Sequence, residues 1–106
     1  LRTRLVAQGA NIPMTAGAEL TLHRQGVLVL PDFIANAGGV ICGAMEYAGK
    51  PENEVFSTIS RKIRTNVGRV LKSAAETGVT PREAAVRLAV ERVKKAMGSC
   101  QAVDAA

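Results

Sequence analysis

Two carboxamides stand out as chemistry-bearing residues, Asn11 in Gly9-Ala10-Asn11 and Asn36 in Asn36-Ala37-Gly38-Gly39. Each comes shortly after an apolar run, Leu5-Val6-Ala7 for the first and Val27-Leu28-Val29-Leu30 for the second. A carboxamide carries one acceptor and two donor hydrogens and no charge, so it can bridge an amide or hydroxyl and an amine. That chemistry holds a polar ligand rather than moving protons. Neighbouring glycines let backbone come close to such a ligand. Taken alone, Asn36 also reads as a helix N-cap and Asn11 as a turn asparagine. The other candidates are weaker. His23 is the single histidine, late in a helical stretch and without a partner at metal-ligand spacing. Asp32 could act as an acid or base, or be a loop aspartate satisfied by backbone amides. Glu46 reads as structural.

The elements that must position these residues follow from pattern. Leu5 to Ala7 reads as a strand. Gly9-Ala10-Asn11 turns the chain, and Pro13 is expected to keep Ile12 extended. Thr15 can cap a helix from Ala16 to about Arg24, with Gly26 just past its end. The unbroken run Val27 to Leu30 suits a strand covered on both faces, ended by Pro31. Phe33-Ile34-Ala35 reads as an apolar loop. Strand, helix, strand make one βαβ unit with parallel strands, and ligands bind at the carboxyl ends of such strands.

Beyond it, Gly38 to Tyr47 reads as a helix with Val40, Ile41, Ala44 and Met45 on its apolar face. Gly49-Lys50-Pro51 breaks it. Glu52 to about Glu76 reads as one long helix, with Val55, Ile59, Ile63, Val67, Val70 and Ala74 in a single stripe. Gly78 ends it. Thr80-Pro81-Arg82-Glu83 supplies a cap, an N1 proline and a capping-box glutamate for a last helix. Ala84, Leu88, Val93 and Met97 are expected to line one side of that helix, and Gly98 to stop it.

Gln8-Gly9-Ala10-Asn11-Ile12-Pro13-Met14-Thr15 and Pro31-Asp32-Phe33-Ile34-Ala35-Asn36-Ala37-Gly38-Gly39-Val40 occur in this order, about twenty residues apart. Together they resemble the C-terminal part of the glutamate/leucine/phenylalanine/valine dehydrogenase family, over about Leu5 to Met97. The resemblance implies an α/β fold. Residues 1–49 would be the C-terminal part of a Rossmann-type NAD(P)-binding domain, two parallel strands with a crossover helix. Residues 50–98 would be C-terminal helices packing on it, and 99–106 a flexible tail. It implies a nicotinamide cofactor, NAD or NADP, and reversible oxidative deamination of an amino acid to a 2-oxo acid and ammonia. Gly9, Ala10 and Asn11 would lie at the cofactor, with Asn11 beside the nicotinamide-side ribose. Asn36 would lie by the nicotinamide and the substrate amino group.

Glutamate-specific members carry a serine four residues after the second glycine of the second motif, where it holds the substrate side-chain carboxylate. This chain has Gly43 there. Loss of a donor to a buried carboxylate costs about 1.5–3 kcal/mol, so an apolar substrate competes with glutamate, and Val40 and Cys42 could wall its pocket. Neither the glycine-rich diphosphate turn nor the family's catalytic lysine motif is present, so this stretch alone is expected to be inactive.

Composition sets the outer bounds. The 106 residues are 47% hydrophobic, 22% charged and only 3% aromatic, which suits one small soluble domain with an aliphatic core. The chain begins at Leu1, and its first motif comes almost at once, as in a piece of a longer protein. No apolar run approaches the roughly 18 residues of a membrane span. Two cysteines, Cys42 and Cys100, suit a reducing cytoplasm. Net charge is +5, but Arg61, Lys62, Arg64, Arg69 and Lys72 fall opposite the apolar stripe, as on a solvated face. No nucleic-acid or membrane partner is expected, whereas a homo-oligomer is. The alternatives are a non-catalytic binding module with the same fold and, behind it, a basic helical nucleic-acid binder.

Overall fold

The structure, a computed structural model, describes the backbone of residues 2–105 and the side chains of residues 2–98. Two strands, β1 (Leu5–Ala7) and β2 (Leu28–Leu30), pair in parallel, Leu5 beside Leu28 and Ala7 beside Leu30. Helix α1 (Ala16–Arg24) connects them. Thr15 caps it as expected, its Oγ1 accepting from the Ala18 amide at 3.1 Å. Gly26 follows at φ 80°, a left-handed turn that glycine takes without a Cβ penalty.

The expectation of a strand covered on both faces is corrected. Val27 and Val29 are buried, but Leu28 is 38% exposed and its partner Leu5 49%. Paired residues share a face, so Leu5 and Leu28 form an only partly covered apolar patch. Strand β2 packs against α1 and the last helix.

After Pro31 the chain forms a short helix, α2 (Asp32–Ala35), rather than a loop. It then enters α3 (Gly38–Tyr47). Helix α3 buries Met45 and half-buries Ile41, while Val40 and Ala44 face outward, so its apolar face is narrower than the sequence implied. The expected long helix is a 3₁₀ turn at Glu52–Glu54 followed by α4 (Val55–Thr77). Gly78 closes it at φ 69°, its amide donating to Ala74 O at 2.9 Å. Helix α4 keeps its stripe of buried or half-buried residues, with the basic residues exposed opposite.

Helix α5 (Pro81–Ala105) packs against α4 and β2. It does not stop at Gly98, which is not among the glycines with positive φ and so adds a weak helical residue rather than a cap. Of the expected tail, 99–105 is helical backbone and Ala106 lies outside the described residues, as does the Cys100 side chain. Only half the capping box forms. The Glu83 amide donates to Thr80 Oγ1, but the Glu83 carboxylate pairs with Arg87 at 2.8 Å.

The core lies where α2, α4 and α5 meet: Ile34, Val70, Ala74, Ala84 and Ala85, with Val67, Val79 and Leu88 partly buried around them. The alanines let α4 and α5 approach closely. Past Arg92, whose guanidinium donates to Asn66 Oδ1 at 2.8 Å, residues 93–98 are all exposed. Val93 and Met97 therefore join no core within the described residues. No helix among them is long and apolar enough to cross a membrane. The radius of gyration is 16.1 Å, against about 13 Å for a compact domain of this length.

Candidate functional site

The carboxyl ends of β1 and β2 bring the two asparagines into contact. Asn36 Nδ2 donates to Asn11 Oδ1 at 2.7 Å, across 25 residues of sequence. Asn36 is half-buried and Asn11 exposed. Asn36 is not the N-cap of α3; that position is Ala37, which makes no side-chain cap bond. It closes α2 instead, its amide donating to Asp32 O at 2.8 Å, which leaves its carboxamide to reach Asn11. The bond uses one hydrogen and one oxygen. Among the described residues, both Asn11 Nδ2 hydrogens, the Asn36 Oδ1 acceptor and one Asn36 hydrogen have no further hydrogen-bond partner. This donor and acceptor set fits a ligand carrying a carboxamide, a hydroxyl and an amine.

Gly9 and Ala10 lie exposed in the turn before Asn11. A Cβ on Gly9 would meet nothing within 4 Å, and its φ is not positive, so the described residues do not themselves require glycine there. Gly43 is likewise open, and Val40, 79% exposed, is a surface residue. Three apart on α3, Val40 and Gly43 share one exposed face. Cys42 looks elsewhere. It is half-buried, its Sγ lies 3.7 Å from Glu46 Oε1, and burial with that carboxylate pushes the thiol up. His23 is exposed in the last turn of α1, and no group of three metal-ligating side chains occurs among the described residues.

The asparagines are held by a polar cluster behind them. Arg82, in the first turn of α5, donates through Nε to both Glu19 oxygens at 2.8 and 2.9 Å. Its Nη2 donates to Asp32 Oδ1 at 3.1 Å and Gln8 Oε1 at 3.0 Å. Gln8 Oε1 also accepts from the Asp32 amide at 3.0 Å, and Asp32 Oδ2 accepts from the Ile12 amide at 2.8 Å. Phe33 lies under the guanidinium, 5.8 Å from ring centre to Cζ. Gln8, Glu19 and Asp32 are all buried. Four segments are thereby tied together: the exit of β1, α1, the start of α2 and α5. The Ile12 amide, more than any other contact, holds the Asp32 carboxyl below the usual carboxylate range, against an opposing push from burial. Gln8 Nε2 is buried and has no hydrogen-bond partner among the described residues.

Ile12 corrects another expectation. It is not extended; its φ is 48°. A β-branched residue there is strained, doubly so before proline, at a cost of about 1–3 kcal/mol.

Sequence reasoning missed this cluster. Arg82 looked like a helix-start residue, Glu19 drew no attention, and Gln8 was only a motif letter. One signal was available. Gln8 directly follows one strand and Asp32 nearly follows the other, so parallel pairing places both polar groups at the same end of the sheet.

In open parallel α/β sheets ligands bind in the crevice outside the carboxyl ends of the strands, and the paired carboxamides stand at that end of β1 and β2. The comparisons with known proteins make this specific. Residues 1–100 match the family model of the Glutamate/Leucine/Phenylalanine/Valine dehydrogenases, and the chain belongs to that family. It is 41% identical over 104 residues to the NADP(+)-dependent glutamate dehydrogenase of Pyrobaculum calidifontis, covering 92% of this chain and 25% of that one. Its fold superposes on the crystal structure of L-tryptophan dehydrogenase from Nostoc punctiforme with a TM-score of 0.79 and 31% identity, over 90% of this chain and 29% of the other. Glutamate dehydrogenase from Peptoniphilus asaccharolyticus gives 0.78 and 28%, over 92% and 26%. The chain thus spans about a quarter of the length of the curated relatives it matches.

Proposed function

We propose that this chain is the C-terminal part of a nicotinamide-dependent amino-acid dehydrogenase, which oxidatively deaminates an L-amino acid to a 2-oxo acid and ammonia. The observation that carries the reading is the 2.7 Å bond between Asn36 and Asn11. It joins two carboxamides at the ends of parallel strands and leaves further donors and an acceptor unused among the described residues. Asn11 and the Gly9-Ala10 turn would meet the cofactor ribose and nicotinamide. The Asn36 oxygen would accept from the substrate amine and so orient its α-carbon toward the nicotinamide. The bound cofactor would supply the hydride acceptor; this chain's residues orient and hold.

Val40 and Gly43, exposed together on α3, would border the substrate side chain. The space at Gly43, with no hydroxyl, favours an apolar side chain over a carboxylate. The relative from Pyrobaculum is NADP(+)-dependent, which supports NADP or its close analogue NAD as the cofactor.

The second half of the chain fits a bracing role. Helix α4 packs against α2, α3 and α5. Exposed Tyr47, Phe56, Val93 and Met97 offer apolar surface to the rest of a longer protein or to a second copy in a cytoplasmic homo-oligomer. The experiment is a spectrophotometric screen of the longer protein that carries this chain, one amino acid at a time, with NAD and with NADP. Reduction of either cofactor with at least one amino acid supports the reading. No reduction with any pair, from a folded protein, contradicts it.

A further inference from the structure

The residue directly after Asn11 has an unusual backbone. Ile12 sits at φ 48°, where neither its branched Cβ nor the following Pro13 favours it. The contact recorded for its amide is Asp32 Oδ2 at 2.8 Å. Asp32 also acts on the other partner, because its backbone oxygen accepts from the Asn36 amide at 2.8 Å. One residue therefore grips both sides of the asparagine pair. It is fixed in turn by Gln8 Oε1 on its amide and Arg82 Nη2 on its other carboxylate oxygen.

We infer that Asp32 is a positioning residue: its carboxylate holds Ile12 in the strained conformation that aims the Asn11 carboxamide at Asn36 and at the cofactor. The inference rests on the reading of Asn11 as a cofactor contact. Asp32 needs to touch neither cofactor nor substrate. If the carboxylate lets go, Ile12 relaxes toward the extended backbone that a residue before proline prefers. The Asn11–Ile12 peptide then turns and Asn11 Oδ1 leaves Asn36. Asparagine at position 32 keeps the shape but presents an NH₂ group either to the Ile12 amide or to Arg82, so one of the two bonds is lost whichever way it faces.

The test uses the longer protein with three variants: Asp32→Asn, Ile12→Gly and the two combined. Glycine takes positive φ without strain, so Ile12→Gly lowers the cost that the carboxylate has to offset. Dissociation of reduced cofactor is read from its fluorescence on binding, and KM and kcat from steady-state rates. Asp32→Asn should weaken cofactor binding roughly tenfold, the equivalent of one lost hydrogen bond to a charged group. Ile12→Gly alone should bind like the parent, and the combined variant should recover most of the loss. Recovery supports the inference, because a general brace is not rescued by relaxing one backbone angle.

Unchanged binding in Asp32→Asn overturns it, and so does a loss that Ile12→Gly fails to restore. If Asp32→Asn does not fold, the combined variant must fold by circular dichroism, and failure to do so overturns the inference too. A parent protein that binds neither cofactor sinks the functional reading itself, an outcome distinct from a parent that binds and an Asp32→Asn that binds equally well.

Discussion

Glu19 and Arg82, 63 residues apart, meet through both carboxylate oxygens and one nitrogen at 2.8 and 2.9 Å. The contact fastens the crossover helix to the first turn of the last helix. It is also one arm of the cluster that holds Gln8 and Asp32 behind the asparagines. Glu19 is buried, so removing Arg82 leaves buried carboxylates without their counter-charge. Arg82→Ala should destabilise the folded protein by about 3–5 kcal/mol, less in proportion to the partial exposure of the guanidinium. Arg82→Lys should recover only part of this, since an ammonium cannot span Glu19, Asp32 and Gln8 at once. Urea unfolding of the three proteins checks the order.

The acid side of the stability profile should report Asp32. Its folded-state carboxyl is held below its ordinary range, chiefly by the Ile12 amide. A depressed carboxylate contributes stability that is full above the unfolded value and lost as pH falls through the folded one. The protein should therefore lose stability on acidification below about pH 4. Asp32→Asn should show a shallower decline over that interval. Thermal midpoints of both proteins between pH 6 and pH 3 provide the measurement, and parallel curves would remove Asp32 from the explanation.

Position 43 separates packing from specificity. A Cβ there meets nothing within 4 Å, and serine is a better helix residue than glycine. Gly43→Ser should fold at least as well as the parent. It should also shift relative kcat/KM toward an amino acid with a side-chain carboxylate, by about tenfold or more for one added hydrogen bond to a charged group. Competition between glutamate and leucine as substrates reads the shift.

Self-association is expected of the 106-residue chain on its own. Leu5 and Leu28 leave a sheet face only partly covered, and Tyr47 and Phe56 are 97% and 81% exposed. Exposed apolar faces and open strand edges recruit other chains. Sedimentation velocity over a concentration series should show mass rising with concentration; a monomer throughout would count against it.

Local signals made most elements legible. Thr15, Gly26, Gly78 and the Thr80-Pro81 start act within a turn of where they stand, and the structure keeps each. The errors arose where distant residues decide. Ile12 is turned by Asp32, twenty residues on, against its own preference and that of Pro13. Asn36 closes α2 rather than capping α3, and its carboxamide bonds Asn11, 25 residues back. Val40, Val93 and Met97 are apolar at helical spacing, yet nothing among the described residues covers them, since periodicity gives a face but not its partner. Gly98 stays helical because no left-handed turn forms there. The two motifs located the asparagine pair, but the Arg82 cluster joins four segments and has no contiguous pattern to read.

The most direct measurement is kcat/KM for the preferred amino acid in the longer protein, parent against Asn36→Ala. Asn36 bonds Asn11 and leaves its remaining groups unused among the described residues, so its loss should lower kcat/KM by roughly ten- to hundredfold, with only a small shift in thermal midpoint. An Asn36→Ala protein that keeps the parent's kcat/KM would contradict the assignment of the paired carboxamides as the ligand-facing site.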